Sequence, residues 1–230
     1  MSGIDRRTML AGLGALAAAG CTSTVVPDAQ PEPRVVAGRI VVPPEVAAMY
    51  AARPDERFPI PAVDLSKIEP QFWRREVPDP TGEPPNTIVV DTTERFLYLT
   101  LGNGRAMRYG VGLGRQGFSW DGVATIRLKR EWPTWTPPDE MIARDPELEK
   151  YRDGMPPSLA NPLGARALYL FQGGQDTLYR LHGTQEAYSI GRAVSSGCVR
   201  LLNQDVIDLY DRTPLGARVI VLPPGTSVGA

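Results

Sequence analysis

Histidine is nearly absent. The 230 residues hold one, His182, and only two cysteines, Cys21 and Cys198. Structural zinc usually takes four Cys or His ligands and catalytic zinc three protein ligands. With one of each beyond the leader, a metal would need carboxylates that no spacing suggests. A surplus of charge is lacking too: 25 basic residues face 26 acidic ones, a formal net charge of −1. No basic stripe breaks that balance, so nucleic acid is not an expected partner. The apolar run from Met9 to Ala19 is too short to span a bilayer and has the length of a signal h-region. A Cys21–Cys198 disulfide would tie that leader to the domain, and it is not expected. What is plentiful is glycine and proline, 23 of each, which favours turns and short strands over long helices. Hydrophobic residues at 42% can fill a sizeable core, and the length suits one ordinary domain with extensions.

The leader "MSGIDRRTMLAGLGALAAAGC" reads as an address. Arg6 and Arg7, with Met9 and Leu10 behind them, resemble a twin-arginine export signal. Ala18-Ala19-Gly20-Cys21 resembles a lipobox, with Ala18 where Leu is most usual. Residues 1–20 are therefore expected to be removed and Cys21 to be lipidated, giving an exported, periplasmic, membrane-anchored lipoprotein.

Residues 21–85 form a proline-rich tether and then a strap. "VVPDAQPEPRVV" is polar and without sustained period, hence extended. "PPEVAAMYAARPDE" holds a short helix with Pro44 near its start and Pro54 ending it. "VDLSKIEPQFWRREV" offers Leu65, Ile68, Phe72 and Trp73 for packing on the next domain. From Asn86 the texture becomes β-rich. "NTIVVD" and "RFLYLTL" flank a hairpin turn at Thr92-Thr93-Glu94, and Asn103-Gly104 marks a second hairpin. "RAMRYGVGL", "GVATIRLKR", "RALYLF", "TLYRLH" and "ARVIVL" are further strands. Two further helices are expected. One is capped by Thr136 and leads into "EMIAR"; the other is capped by Asn203 over "QDVIDLYDR", with Val206, Ile207 and Tyr210 on one face. The class is mainly β, a β-sandwich-like or barrel fold over 86–223 with a short tail at 224–230. "GLGRQG", Gly112 to Gly117, satisfies G-x-G-x-x-G but runs into a turn and another strand. A dinucleotide site needs a helix there, so that reading is rejected.

His182 and Cys198 stand 198 − 182 = 16 residues apart in "LHGTQEAYSIGRAVSSGCVRLLN". Neither Ser195 nor Ser196 has a glycine two places before it, so the serine nucleophile elbow is not met. A thiol nucleophile with an imidazole base fits. A free Cys is only a few per cent thiolate near neutral pH, and a neighbouring imidazole raises the reactive fraction. Gly197 lets the backbone approach a substrate and present N–H groups to an oxyanion. On spacing alone, a buried cysteine acting as a small hydrophobe and a core histidine fit equally well.

His182-Gly183-Thr184, then Gly191, then Ser195-Ser196-Gly197-Cys198-Val199-Arg200 resembles the signature of the YkuD-type L,D-transpeptidases, H-G-T and S-x-G-C-[IV]-R, in which x is often His and here is Ser196. The likeness runs from about Asn86 to Leu222. It implies acyl transfer on peptidoglycan stem peptides. Cys198 is then the nucleophile, His182 the proton acceptor and donor, the Gly183 region the backbone orienter, and the Gly197 and Cys198 N–H groups the oxyanion hole. It also implies substrate contacts by Arg200, Ser195 and Ser196, covalent capture by carbapenem-type β-lactams, and no cofactor. The departure at Ser196 bears on the polarity of the pocket wall. A hydrolase of the same fold and a non-catalytic wall-binding lipoprotein are the alternatives. The proline-rich stretch Glu131 to Gly164 carries Trp132 and Trp135 and reads as a pocket cover, or as packing of its helix on the sheet.

Overall fold

A computed structural model describes residues 34–36, 39–114, 120–195 and 197–229. The leader, including Cys21, and Ser196 lie outside the described residues. A small hairpin, β1 (Arg34–Val36) and β2 (Arg39–Val41), precedes helix α1 (Pro44–Met49). Then come β3 (Arg75–Pro78), β4 (Ile88–Asp91), β5 (Phe96–Gly102), β6 (Arg105–Gly110), β7 (Leu113–Gly114) and β8 (Gly122–Glu131). Helix α2 (Asp139–Arg144) is followed by β9 (Arg166–Gln172), β10 (Gln175–Thr184), β11 (Ala193–Ser195), β12 (Val199–Leu202), helix α3 (Asn203–Arg212) and β13 (Arg218–Val221).

Nine strands form one mixed sheet in the order β12-β10-β9-β8-β13-β4-β5-β6-β3. It curls: Gly112, just past β6, exchanges two backbone hydrogen bonds of 2.9 and 2.8 Å with Arg200 on the β12 edge. Alternate residues such as Ile88 and Val90, Leu97 and Leu99, Leu168 and Leu170 thereby face one shared core, with Val206 and Leu209 of α3 inside it. That is the period-2 pattern of a sheet with one face on the core. Both hairpins form where their turn residues stand. Asp91 Oδ1 accepts the Thr93 and Glu94 N–H groups at 3.0 and 2.8 Å, and Asn103 and Gly104 take φ of +52° and +69°, as a two-residue type I′ turn requires.

The strap packs as expected but does more. Leu65, Ile68, Phe72 and Trp73 are buried beside Phe96, Tyr98 and Ile190, and the strap's end, β3, joins the sheet by pairing antiparallel with β6. The sheet thus begins at Arg75, ahead of Asn86. Behind it lies a buried ionic tie. Arg74 reaches Asp205 at 3.6 Å and Asp208 at 3.3 Å, and its backbone N–H donates to Tyr50 Oη at 2.6 Å.

Three local expectations are corrected. Helix α1 closes at Tyr50, well before Pro54. Helix α2 starts at Asp139 behind Pro138, with no side-chain cap from Thr136, because two successive prolines hold the chain extended up to that point. Asn203 is the first residue of α3, not its cap. Its Oδ1 accepts the Ala165 N–H at 2.9 Å, so the side chain ties the helix to the start of β9.

Candidate active site

The two residues of interest sit on neighbouring parallel strands. β10 and β12 pair with Leu181 opposite Val199 and His182 opposite Arg200, and Cys198 immediately precedes β12. With a strand spacing of about 4.8 Å and a rise of about 3.3 Å per residue, the Cα atoms of His182 and Cys198 come within roughly 8 Å. Parallel partners project to the same side, so Arg180, His182 and Arg200 share one face.

His182 is buried, and its Nδ1 lies 2.9 Å from the Gly183 carbonyl. A carbonyl only accepts, so the Nδ1 that faces it carries a proton. Burial pushes the imidazole pKa down to about 4, and the charges of Arg200 and Arg180 act in the same direction against the Gly183 and Pro162 carbonyls. Cys198 is half-buried, with Sγ 3.9 Å from the Leu178 carbonyl. Burial pushes its thiol up, opposed by the Arg180 backbone N–H and by the charges of Arg180 and Arg200. Both shifts favour a neutral thiol beside a neutral imidazole.

The motif glycines have steric causes. A Cβ on Gly183 would overlap Asn203 Oδ1, and one on Gly191, which has φ +77°, would overlap the Phe72 ring. Gly183 therefore admits the residue that ties α3 to β9, and Gly191 makes room for the strap. Gly197 has φ +132°, a conformation that L side chains rarely adopt. Arg200 is paired with Glu186 at 2.7 Å, so in this state it braces the loop after His182-Gly183-Thr184. Ser195 lies on β11 opposite Gly114.

Trp132 takes up the packing alternative. It is buried; its ring meets Phe58 edge-on at 4.9 Å, and its Nε1–H donates to Glu56 at 2.9 Å. It also borders a cavity of about 360 Å³ with Glu56 and Arg166, and neither Cys198 nor His182 lines that cavity. The ring is committed to the strap, which removes the ground for reading it as a pocket cover. Trp135 is half-buried and pairs through its backbone with Met155 at 3.1 and 2.6 Å. The aromatic wall near Cys198 comes from elsewhere. Tyr179 stacks on Trp120 at 5.7 Å and comes within 3.7 Å of the position a Gly197 Cβ would take. Tyr179 is legible only as a strand residue, and nothing in the sequence singles out Trp120. Among the described residues no three His, Cys, Asp or Glu side chains group as a metal would require.

The family model for the L,D-transpeptidase catalytic domain, YkuD, matches residues 85–221. A probable L,D-transpeptidase ErfK/SrfK of Escherichia coli is 34% identical over 144 residues, covering 59% of this chain and 43% of that protein. The chain thus spans less than half the length of that relative. A putative L,D-transpeptidase of Fuscovulum blasticum is 32% identical over 162 residues, covering 69% of this chain and 79% of that one. A solved Brucella melitensis structure, described as a probable carnitine operon oxidoreductase, is 49% identical over 69% of this chain and 99% of that one, with a TM-score of 0.48. The model match alone takes in more than half of the chain, and it contains His182, Gly197, Cys198 and Arg200: the chain belongs to the L,D-transpeptidase catalytic domain family.

Proposed function

We propose that this protein is a cysteine-dependent acyltransferase acting on peptidoglycan tetrapeptide stems. The observation that best supports the reading is the β10–β12 register, which puts the buried His182, its Nδ1 on the Gly183 carbonyl, on the strand next to the one that Cys198 precedes. In the proposed reaction Nε2 of His182 takes the thiol proton while Sγ attacks the carbonyl of the third stem residue. The developing oxyanion is met by the Gly197 and Cys198 N–H groups. As the tetrahedral adduct collapses, His182 returns the proton to the nitrogen of the terminal D-alanine, which leaves, and a thioester remains. An amine from a second stem then attacks the thioester. His182 accepts its proton and returns it to sulfur, and a 3→3 cross-link is released. The broken amide supplies the energy stored in the thioester, so no cofactor enters the scheme. A strained carbapenem ring would acylate the same sulfur. The likeness of the leader to an export signal and of Ala18-Ala19-Gly20-Cys21 to a lipobox supports a reading in which this chemistry runs outside the cytoplasm on a lipid anchor.

Hydrolysis is the second reading, and the placement of Trp132 favours keeping it. A transferase must hold an amine against water present at roughly 55 M, and that ring does not supply the apolar cover. Tetrapeptide muropeptides incubated with the protein and followed by mass decide between the two. Dimers linked 3→3, or exchange of the terminal D-alanine for another D-amino acid, support transfer. Tripeptide as sole product with amine in excess identifies a hydrolase. Turnover retained by Cys198→Ala would overturn both.

A further inference from the structure

Strand β10 does not run straight. Its pairing with β9 slips between Asp176 and Arg180, and Leu178 inside that bulge has φ +62°, a conformation uncommon for a bulky side chain. No burial compensates it, since Leu178 is 76% exposed. What the bulge achieves is to set the Leu178 carbonyl 3.9 Å from Cys198 Sγ. Backbone strain beside a reaction centre persists only where the surroundings hold it.

Asp176 is the holder. Its Oδ1 accepts the Leu178 N–H at 2.9 Å. The same oxygen accepts Arg180 Nη1 at 2.7 Å, and Oδ2 accepts Arg180 Nη2 at 2.8 Å. Thr177 completes the bulge, its hydroxyl donating to the Leu170 carbonyl at 2.7 Å and accepting the Tyr179 N–H at 3.2 Å. Arg180 matters because its charge favours the thiolate and disfavours an imidazolium at His182. The other charge felt at the thiol comes from Arg200 on β12, held by Glu186.

We propose that Asp176 is a positioning residue for Cys198: its carboxylate closes the bulge that sets the Leu178 carbonyl on the thiol, and it clamps the Arg180 guanidinium so that part of the positive charge felt at sulfur is offset. Both effects keep the thiol protonated and aimed until His182 takes the proton. A carbonyl stabilises S–H and repels S⁻, and a bidentate carboxylate neutralises the nearest cation. The proposal rests on Cys198 being the nucleophile.

The test is the pH midpoint of iodoacetamide alkylation of Cys198 in the full chain, read on the Cys198 peptide by mass so that Cys21 does not interfere. Asp176→Asn keeps an acceptor for the Leu178 N–H but releases the Arg180 charge. The midpoint is expected to fall by about half a pH unit or more, and Asp176→Ala, which also frees the bulge, should lower it further. Adding Arg180→Gln to Asp176→Asn should bring the midpoint back towards wild type, a reversal that a merely structural role for Asp176 would not produce. An unchanged midpoint in folded Asp176→Asn, or no reversal, overturns the proposal. If Asp176→Asn does not fold, Arg180→Gln alone serves: it leaves the carboxylate without its cation, so the midpoint should rise, and no rise overturns the proposal. The alkylation midpoint is read whether or not Cys198 turns over substrate, so it fails separately from the nucleophile assignment.

Discussion

Replacing His182 with Gln should change the shape of the pH profile for acylation of Cys198, not only its height. An imidazole with a pKa of about 4 is protonated in roughly one molecule in a thousand at pH 7. The thiol, pushed up by burial, is thiolate in a smaller fraction than a free cysteine. The wild-type reaction therefore starts from a neutral pair and moves the proton to Nε2 in the step itself. Because His182 is already neutral above pH 5, acylation by a carbapenem should be nearly flat from pH 5.5 to 7.5 and fall only as pH approaches 4. In His182→Gln only pre-formed thiolate reacts, and its population rises about tenfold per pH unit below the thiol pKa. The wild-type advantage should accordingly be about a hundredfold larger at pH 5.5 than at pH 7.5, within a general-base contribution of about 10² to 10⁴. Stopped-flow loss of the β-lactam chromophore, with intact mass confirming one adduct, measures both rates. Parallel profiles would refute the base assignment. A wild-type limb centred near pH 6.5 would refute the neutral pair, since it would show an ordinary imidazole.

Three further outcomes are expected. Arg74→Met removes the cation between Asp205 and Asp208 and should destabilise the protein by about 3–5 kcal/mol in urea titration. Burial already lifts Asp205 to about 7 against the pull of Arg74, and its folded pKa should rise further without that partner. Stability gained by a group with a raised folded pKa is present at low pH and lost as pH climbs through that pKa. The penalty should thus be about 1 kcal/mol greater at pH 8 than at pH 5, and equal penalties would contradict the network. Trp132→Ala should lower stability by about 3–5 kcal/mol and leave the transfer-to-hydrolysis ratio unmoved; a shift towards tripeptide product would restore the pocket-cover reading. Cys21→Ser should release the protein from the membrane fraction, and equal partition of mutant and wild type would remove the lipobox.

Much was legible in the residues alone because the signals are local. Alternation in "TIVVD" and "RFLYLTL", the Asn103-Gly104 turn and the spacing from His182 to Cys198 are short-range properties, and they determined the β class, two hairpins and the residue pair. The apolar side chains of the strap likewise announced that it packs, since Leu65, Ile68, Phe72 and Trp73 have no other way to leave water.

Tertiary structure decided the rest, and in each case through partners distant in sequence. Asn203 carries the residue type of a helix cap, yet its amide goes to Ala165, 38 residues away. Trp132 looked free to cover a pocket until Glu56, 76 residues earlier, took its N–H. Gly191 reads as part of a catalytic signature, but its missing side chain is required by Phe72 of the strap. The histidine and cysteine were visible as residue types. Their protonation was not, because it depends on burial and on Arg180 and Arg200, which only the pairing of β10 with β12 brings to the same face.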